Sequence, residues 1–459
     1  MFDIVIIGGG PGGYVAAIRG AQLGGKIALI EKDTVGGTCL NRGCIPTKAM
    51  LASADVYNKV KEAADFGISV ENYSVSLEKI VERKDAIVKQ LTGGVSSLLA
   101  YHKVTVFNGN GVIKDNNSVE VTKADGSVEL VEAKNIVIAT GSEAATIAAL
   151  GYDGVNVMTS TELLNLKEQP KSLLIIGAGV IGCEFASVFS SLGTQVTLVE
   201  ALDRVLPMVD EEISKRFTMF LKKKKIGVNT GVMVEKVVKG SDGMVVSLNN
   251  GKELVADKVL IGIGRTYNSK GIGLENVGVE VGKRGDILTD TKMKTNVENI
   301  YAIGDVNGKM LLAHAASAQG NTVVENILKG KDEDADVTFV PSAVYTFPEI
   351  SFIGLNEQEA REKYDVKIGK FPFTASGKAL CIGEKDGFIK VIAEAGTDKI
   401  LGVQIMGPHA TDLICEAVLA IRKGLSVEDV AKTIHAHPTI SESMMEAFEA
   451  VHGLAIHSI

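Results

Sequence analysis

Cysteine is scarce here, with five residues in a chain of 459. So few cysteines cannot form a disulfide framework. Charge of one sign is not in large excess either. The net charge is −8, a mild acidity that argues against nucleic acid as a partner. No apolar run approaches the length of a membrane span, so no membrane partner is expected. Low-complexity tracts are absent. The N-terminus runs straight into an apolar strand, so no signal or transit peptide is expected. What remains is a long chain with 46% hydrophobic residues, enough for about three domains with ample core.

Two of the five cysteines, Cys39 and Cys44, fall in Gly36-Gly37-Thr38-Cys39-Leu40-Asn41-Arg42-Gly43-Cys44-Ile45-Pro46-Thr47-Lys48. Close cysteines in such a chain point to a metal site or a redox dithiol. Zinc sites favour C-x-x-C and need a second pair or histidines at similar spacing. Cys183, Cys381 and Cys415 stand alone, so no metal site is expected and the pair reads as a redox couple. The alternative is two buried cysteines that happen to be close. Five residues of helix rise about 7.5 Å, whereas bridged Cα atoms lie no more than about 6.8 Å apart. The segment must therefore bend, and Gly43 and Pro46 supply the freedom. A helix starting here would aim N–H groups at the sulfurs and favour thiolate. A redox pair with little other cysteine fits a reducing cytoplasm.

The stretch before the pair is a strand at 2–7, then Gly8, Gly10 and Gly13 in G-x-G-x-x-G, a helix to about Gln22 and a strand closing on Glu31. Strand, glycines, helix, strand and acid in that order form a dinucleotide-binding fingerprint. The glycines let a pyrophosphate reach the backbone at the helix N-terminus. The pattern returns with Gly177, Gly179, Gly182 and Glu200. Glu200 can bind both ribose hydroxyls and would repel a 2′-phosphate, so the second site predicts NAD over NADP. Arg204 lies nearby and reads as a surface ion-pair residue.

Between the repeats, Leu77, Ile80, Val81, Ile87, Val88, Leu91 and Leu98 recur at helical spacing and predict a packing face. Strands are expected over 104–113 and 128–138. Ala139-Thr140-Gly141 then turns toward a second domain, and a strand at 258–263 ends in Gly264-Arg265. Asp305 stands at the tip of another strand, as a ligand acceptor or as a turn former. Beyond 337 the pattern becomes antiparallel strands at 344–355, 367–373, 387–394 and 400–406, with helices at 410–423, 426–434 and 441–450. This last region has no nucleotide motif, which points to an oligomer interface. It holds five of the seven histidines, among them His437. His437 and Glu442 bracket a helix start, as an acid–base pair or as a structural histidine with an acid in the first turn.

Together these motifs resemble the flavin-dependent pyridine nucleotide–disulfide oxidoreductases, over essentially the whole chain. The resemblance rests on G-G-T-C-L-N-x-G-C-I-P-x-K, both fingerprints, Ala302-Ile303-Gly304-Asp305, Leu312-Ala313-His314 and His435-Ala436-His437-Pro438-Thr439. It implies an α/β fold with two Rossmann-like domains and a C-terminal α+β dimerisation domain built on an antiparallel sheet. The expected limits are 1–145 for the first part of the FAD domain and 146–264 for the NAD domain. A central domain at 265–336 would complete the FAD site, and an interface domain would fill 337–459. FAD would be held by Gly8, Gly10, Gly13, Glu31, Lys48, Gly111, Thr140, Gly141, Asp305 and Ala313. NAD would be held by Gly177, Gly179, Gly182, Glu200 and Gly264. Cys44 would lie by the flavin, Cys39 would exchange with substrate, and Lys48 would pair with Glu184. His437, oriented by Glu442 and followed by a cis proline, would be the acid–base of a homodimeric site. The implied activity is oxidation of dihydrolipoyl groups on a separate carrier protein, with hydride passed to NAD.

Three positions depart from the family pattern. Tyr267 replaces a proline in G-R-x-P-N, Arg42 lies between the cysteines, and Gln319 stands where relatives often carry Glu. Rival readings are sibling reductases and a docking subunit without turnover. Glu200 and the lack of C-terminal cysteines argue against the first. Against the second stand both cysteines, Lys48, Glu184, His437 and Glu442.

Overall fold

The computed structural model describes residues 1–458. The first sheet is parallel in the order Thr105–Asn108, Ile27–Glu31, Phe2–Ile7, Val128–Ile138, Ile300–Ala302. Its central strands are buried on both faces, Ile4, Ile6, Ile27 and Leu29 against helices and Val5, Ile7, Ala28 and Ile30 against the antiparallel strands at 110–133, which is why they read as unbroken apolar runs. The long strand Val128–Ile138 also pairs antiparallel with Ser118–Thr122, which pairs with Asn110–Asp115. The strand expected over 104–113 is thus two strands in different surroundings, broken at Gly109. A Cβ on Gly109 would lie 2.6 Å from the Thr122 carbonyl oxygen, so the chain turns there at a position only glycine fits.

The second parallel sheet repeats the first, in the order Gly227–Thr230, Gln195–Glu200, Ser172–Ile176, Lys258–Ile261, Val157–Met158. Two short antiparallel strands, Ser142–Ala144 and Arg265–Tyr267, carry the chain between the two sheets. Tyr267, where proline was expected, takes part in this pairing, and the Arg284 guanidinium sits 5.9 Å from its ring.

The C-terminal sheet is antiparallel, in the order Ser342–Val344, Glu349–Gly354, Ile400–Gly407, Phe388–Glu394, Val366–Pro372. The strand expected over 344–355 is broken at 345–348, where the chain reverses and the Phe347–Pro348 peptide is cis. Helices Ala410–Lys423 and Glu442–Val451 pack on this sheet.

The helix Leu77–Tyr101 turns its packing face away from two predicted positions. Leu77, Ile80 and Val81 are buried, but Leu91 and Leu98 are exposed. A 3.6-residue period from Ile80 leads through Lys84 and Val88 to Thr92, Val95 and Leu99, and Lys84, Thr92, Val95 and Leu99 are buried. Leu91 and Leu98 each fall one residue off that stripe.

Candidate functional site: a dithiol between two glycine-rich cradles

The two fingerprints match down to single hydrogen bonds. Glu31 accepts from Gly9 N–H (2.7 Å) and Asp33 N–H (2.9 Å). Glu200 accepts from Ala178 N–H (2.7 Å) and Leu202 N–H (2.9 Å). Each acid therefore braces its own loop while keeping further lone pairs for a ligand. A Cβ on Gly13 would lie 1.8 Å from Gly8 O, and one on Gly182 2.0 Å from Gly177 O. Those glycines let helix meet strand. Gly179 has nothing within 4 Å of a built Cβ, and Gly10 has only the Gly37 Cα, at 3.8 Å. The helices Pro11–Gln22 and Val180–Leu192 begin there without side-chain caps. Bare backbone and free N–H groups at two helix N-termini suit two pyrophosphates. The residues present thus fit FAD at the first cradle and NAD at the second.

Around the first cradle the other predicted residues hold varied places. Ser142, 3% exposed, donates its hydroxyl to Asp305 and receives Arg265 Nε at 2.6 Å. Arg265 Nη2 and Thr38 Oγ1 both donate to Ser142 O, at 2.6 and 3.3 Å. Asp305 lies in a short 3₁₀ turn at Gly304–Asn307. Gln319, fully buried, accepts from Gly304 N–H at 2.7 Å and so fastens that turn. Thr140 donates to Asn268 O at 2.7 Å. Gly141 and Gly264 have positive φ and open space, while Gly111 is packed between Ile30 and Ile7. Ala313 opens the helix Ala313–Lys329, whose N-terminus has no side-chain cap.

The cysteines occupy a break between helices. Cys39 is in Gly37–Arg42 and Cys44 is the first residue of Cys44–Lys61, with Gly43 (φ −143°, ψ −112°) between them. A Cβ on Gly43 would lie 2.9 Å from Thr38 O. The bend that the five-residue spacing demanded is there. Both cysteines are thiols; Cys39 is partly buried and Cys44 exposed. Cys44 is held down to about 7, chiefly by the hydrogen bond from Cys39 and next by the Lys48 ammonium, against the desolvation of its sulfur by surrounding protein atoms. The same hydrogen bond, with burial, pushes Cys39 up. Of the two sulfurs, Cys44 is therefore the one that ionises first.

Lys48 Nζ is 2.8 Å from both oxygens of Glu184, which is 3% exposed. The pair joins the helix after the dithiol to the helix after the second fingerprint. Tyr345 from the C-terminal region adds its N–H to Glu184 Oε1 at 3.0 Å. Nothing in the sequence around Tyr345 signals this contact. Arg42 pairs with Asp33 and is thereby directed to a carboxylate. Among the described residues Arg204 makes no ion pair of the kind expected of it: it donates to Pro207 O at 3.0 Å, within the loop that follows Glu200.

His437 and Glu442 form the predicted pair, with Nδ1 2.8 Å from Oε1. Glu442 also accepts from Thr439 N–H at 2.7 Å. That bond first, and His437 after it, hold the Glu442 carboxyl below its ordinary range. The His437–Pro438 peptide is cis. The His437 side chain is 82% exposed. Among the described residues no hydrogen bond joins it to Cys39 or Cys44 of the same chain.

The sequence profile described as pyridine nucleotide-disulphide oxidoreductase matches residues 2–320. The profile of that family's dimerisation domain matches residues 340–448. A dihydrolipoyl dehydrogenase of Bacillus subtilis (strain 168) is 44% identical, covering 99% of this chain and 99% of its own. The dihydrolipoyl dehydrogenase of Chlamydia trachomatis is 45% identical over 97% of this chain and 96% of its own. Among solved structures, LpdA from Mycobacterium tuberculosis has a TM-score of 0.93 at 26% identity, covering 98% of this chain and 99% of that one. The chain belongs to the pyridine nucleotide-disulphide oxidoreductase family.

Proposed function

We propose that the protein is a homodimeric, cytoplasmic flavoenzyme that oxidises dihydrolipoyl groups on a separate carrier protein and reduces NAD⁺. The observation that carries this reading is the Cys39–Cys44 dithiol beside Lys48–Glu184, set between two dinucleotide cradles. The full-length similarity to dihydrolipoyl dehydrogenases supports the choice of substrate. So few cysteines in a chain of 459 residues fit a reducing compartment. No helix among the described residues is long and apolar enough to cross a membrane. The domain limits we propose are those expected from the sequence, 1–145, 146–264, 265–336 and 337–459.

In this reading Gly8, Gly10, Gly13 and Glu31 hold the FAD pyrophosphate and ribose. Gly111, Thr140, Gly141, Asp305 and Ala313 line the rest of that site, and Lys48 stands beside it. Gly177, Gly179, Gly182, Glu200 and Gly264 hold NAD. When bound, FAD supplies a two-electron relay from the dithiol to NAD.

The protein's own groups run the thiol chemistry. Glu442 fixes His437 through Nδ1, which leaves Nε2 to take a proton from the first substrate thiol. The thiolate attacks Sγ of Cys39 in the Cys39–Cys44 disulfide. That bond breaks, and Cys44 departs as the lower-pKa and better leaving thiolate. The second substrate sulfur then attacks the first and expels Cys39. His437 protonates Cys39 and collects the second substrate proton. The products are a lipoyl disulfide, a Cys39 thiol, a Cys44 thiolate and protonated His437, so atoms and charge balance. Lys48 stabilises the Cys44 thiolate.

Steady-state rates test this reading. Dihydrolipoamide with NAD⁺ should far outrun reduction of glutathione disulfide or thioredoxin by NADH or NADPH. NAD⁺ should exceed NADP⁺ in kcat/KM by more than about tenfold, because a 2′-phosphate would meet Glu200 in a confined site. Equal kcat/KM with the two coenzymes contradicts the role of Glu200. A preference for another disulfide contradicts the substrate.

A further inference from the structure

Lys48 is fixed from three directions, and only two belong to the paired helices. Its own helix begins with Cys44, and Glu184 comes from the helix after the second fingerprint. The third is the ring of Tyr345, whose centroid lies 4.5 Å from Lys48 Nζ. Tyr345 sits in the break 345–348 between two strands of the C-terminal sheet. Its backbone N–H holds Glu184 and its ring face receives the ammonium that Glu184 holds. An aromatic face attracts a cation through its quadrupole, more strongly as water is excluded, and Tyr345 is half-buried.

We infer that Tyr345 is a positioning residue for the dithiol: its ring holds the Lys48 ammonium at the station from which it stabilises the Cys44 thiolate. This inference rests on the reading of Lys48 and Cys44 given above. Among the described residues no hydrogen bond joins Tyr345 to either sulfur, and it acts through Lys48. Glu184 alone could hold the lysine at any point around its two oxygens, since a carboxylate sets distance better than direction. The ring removes that freedom. It also ties the chemistry of the first region to the packing of the C-terminal one.

The charged and titratable groups around this point are few. Cys44 faces Cys39, Lys48 and Glu184. Cys39 faces Cys44, Lys48 and Asp305. Tyr345 faces Glu349, Glu184 and Asp412, with Thr411 as a hydrogen-bond partner of its hydroxyl, and burial is the first cause that raises that hydroxyl.

The test is the pH profile of Cys44 in the reduced holoenzyme. It is read as the rate of alkylation by iodoacetamide, with the modified cysteine identified by mass spectrometry. Long-wavelength thiolate–flavin absorbance is followed over the same pH range. Tyr345→Leu should shift both midpoints upward and slow alkylation at pH 7 by about two- to fivefold, the size of a partly exposed cation–π contact. Tyr345→Phe keeps the ring and should restore the native midpoints. Pentafluorophenylalanine at 345 keeps ring shape but reverses the sign of its face, and should behave as leucine even if the leucine variant folds poorly.

Lys48→Met is the control for the underlying reading. If it leaves the Cys44 profile unmoved, the assignment of Lys48 fails and Tyr345 with it. If Lys48→Met shifts the profile while Tyr345→Leu and the fluorinated ring do not, the site stands and the role of Tyr345 is overturned. A shift in Tyr345→Phe as large as that in Tyr345→Leu would assign the effect to the hydroxyl, and also overturns the inference.

Discussion

Replacing His437 with glutamine should lower dihydrolipoamide oxidation on the order of 10²- to 10⁴-fold, the range of a lost acid–base group. NADH oxidation by an artificial one-electron acceptor should persist, because that route asks nothing of the substrate thiols. The two activities separate because His437 moves substrate protons only. Its Nδ1 is bound to Glu442 at 2.8 Å, and its side chain is 82% exposed. Glu442→Gln should give a smaller loss of the same kind, since it leaves the imidazole in place but removes the charge that orients it. If both activities fall together in His437→Gln, the histidine supports the fold and not the reaction.

The cysteines should separate as sharply. Cys44→Ser should lose turnover with dihydrolipoamide and lose the long-wavelength absorbance of the reduced holoenzyme. Cys39→Ser should also lose turnover, yet keep that absorbance without any reductant, because Cys44 is then a free thiol. The thiolate is the absorbing partner, so the band is present above the Cys44 pKa and fades as pH falls through it. In the native pair that value is about 7. Absorbance that survives the loss of Cys44 would mean the roles of the two sulfurs are exchanged.

Local chemistry explains why much of this was legible in the sequence. The glycine fingerprints announce themselves because steric limits leave glycine no substitute where helix meets strand, as at Gly13 and Gly182. The bend between Cys39 and Cys44 followed from helix rise alone, and Gly43 makes it. The Lys48–Glu184 pair spans 136 positions, and no spacing rule reaches that far; only the family resemblance carried it. Tyr345 was invisible for the same reason, without a motif to compensate. Its neighbour in sequence is a turn, and its partner is a lysine in another region. The misplaced Leu91 and Leu98 show the opposite failure. Apolar residues near the right period read as core, although burial follows the angle of the stripe and admits Lys84 and Thr92. In the sequence Gln319 stands out only as a departure from the family pattern. Its role in fastening the Gly304–Asn307 turn needed the fold.

The dithiol and the acid–base pair form one site in the proposed function, although no hydrogen bond among the described residues joins them within one chain. His437 is exposed on a region whose profile is a dimerisation domain, so the partner subunit is the claimed source of the acid–base. A two-fold dimer then has two shared sites. Cys44→Ser and His437→Gln, each inactive alone, should be unfolded and refolded together. With random pairing half the dimers are mixed, and each mixed dimer regains one of its two sites, so roughly a quarter of native activity should return. No recovery, with mixed dimers shown to be present by mass, would place the histidine and the cysteines of each site on the same chain.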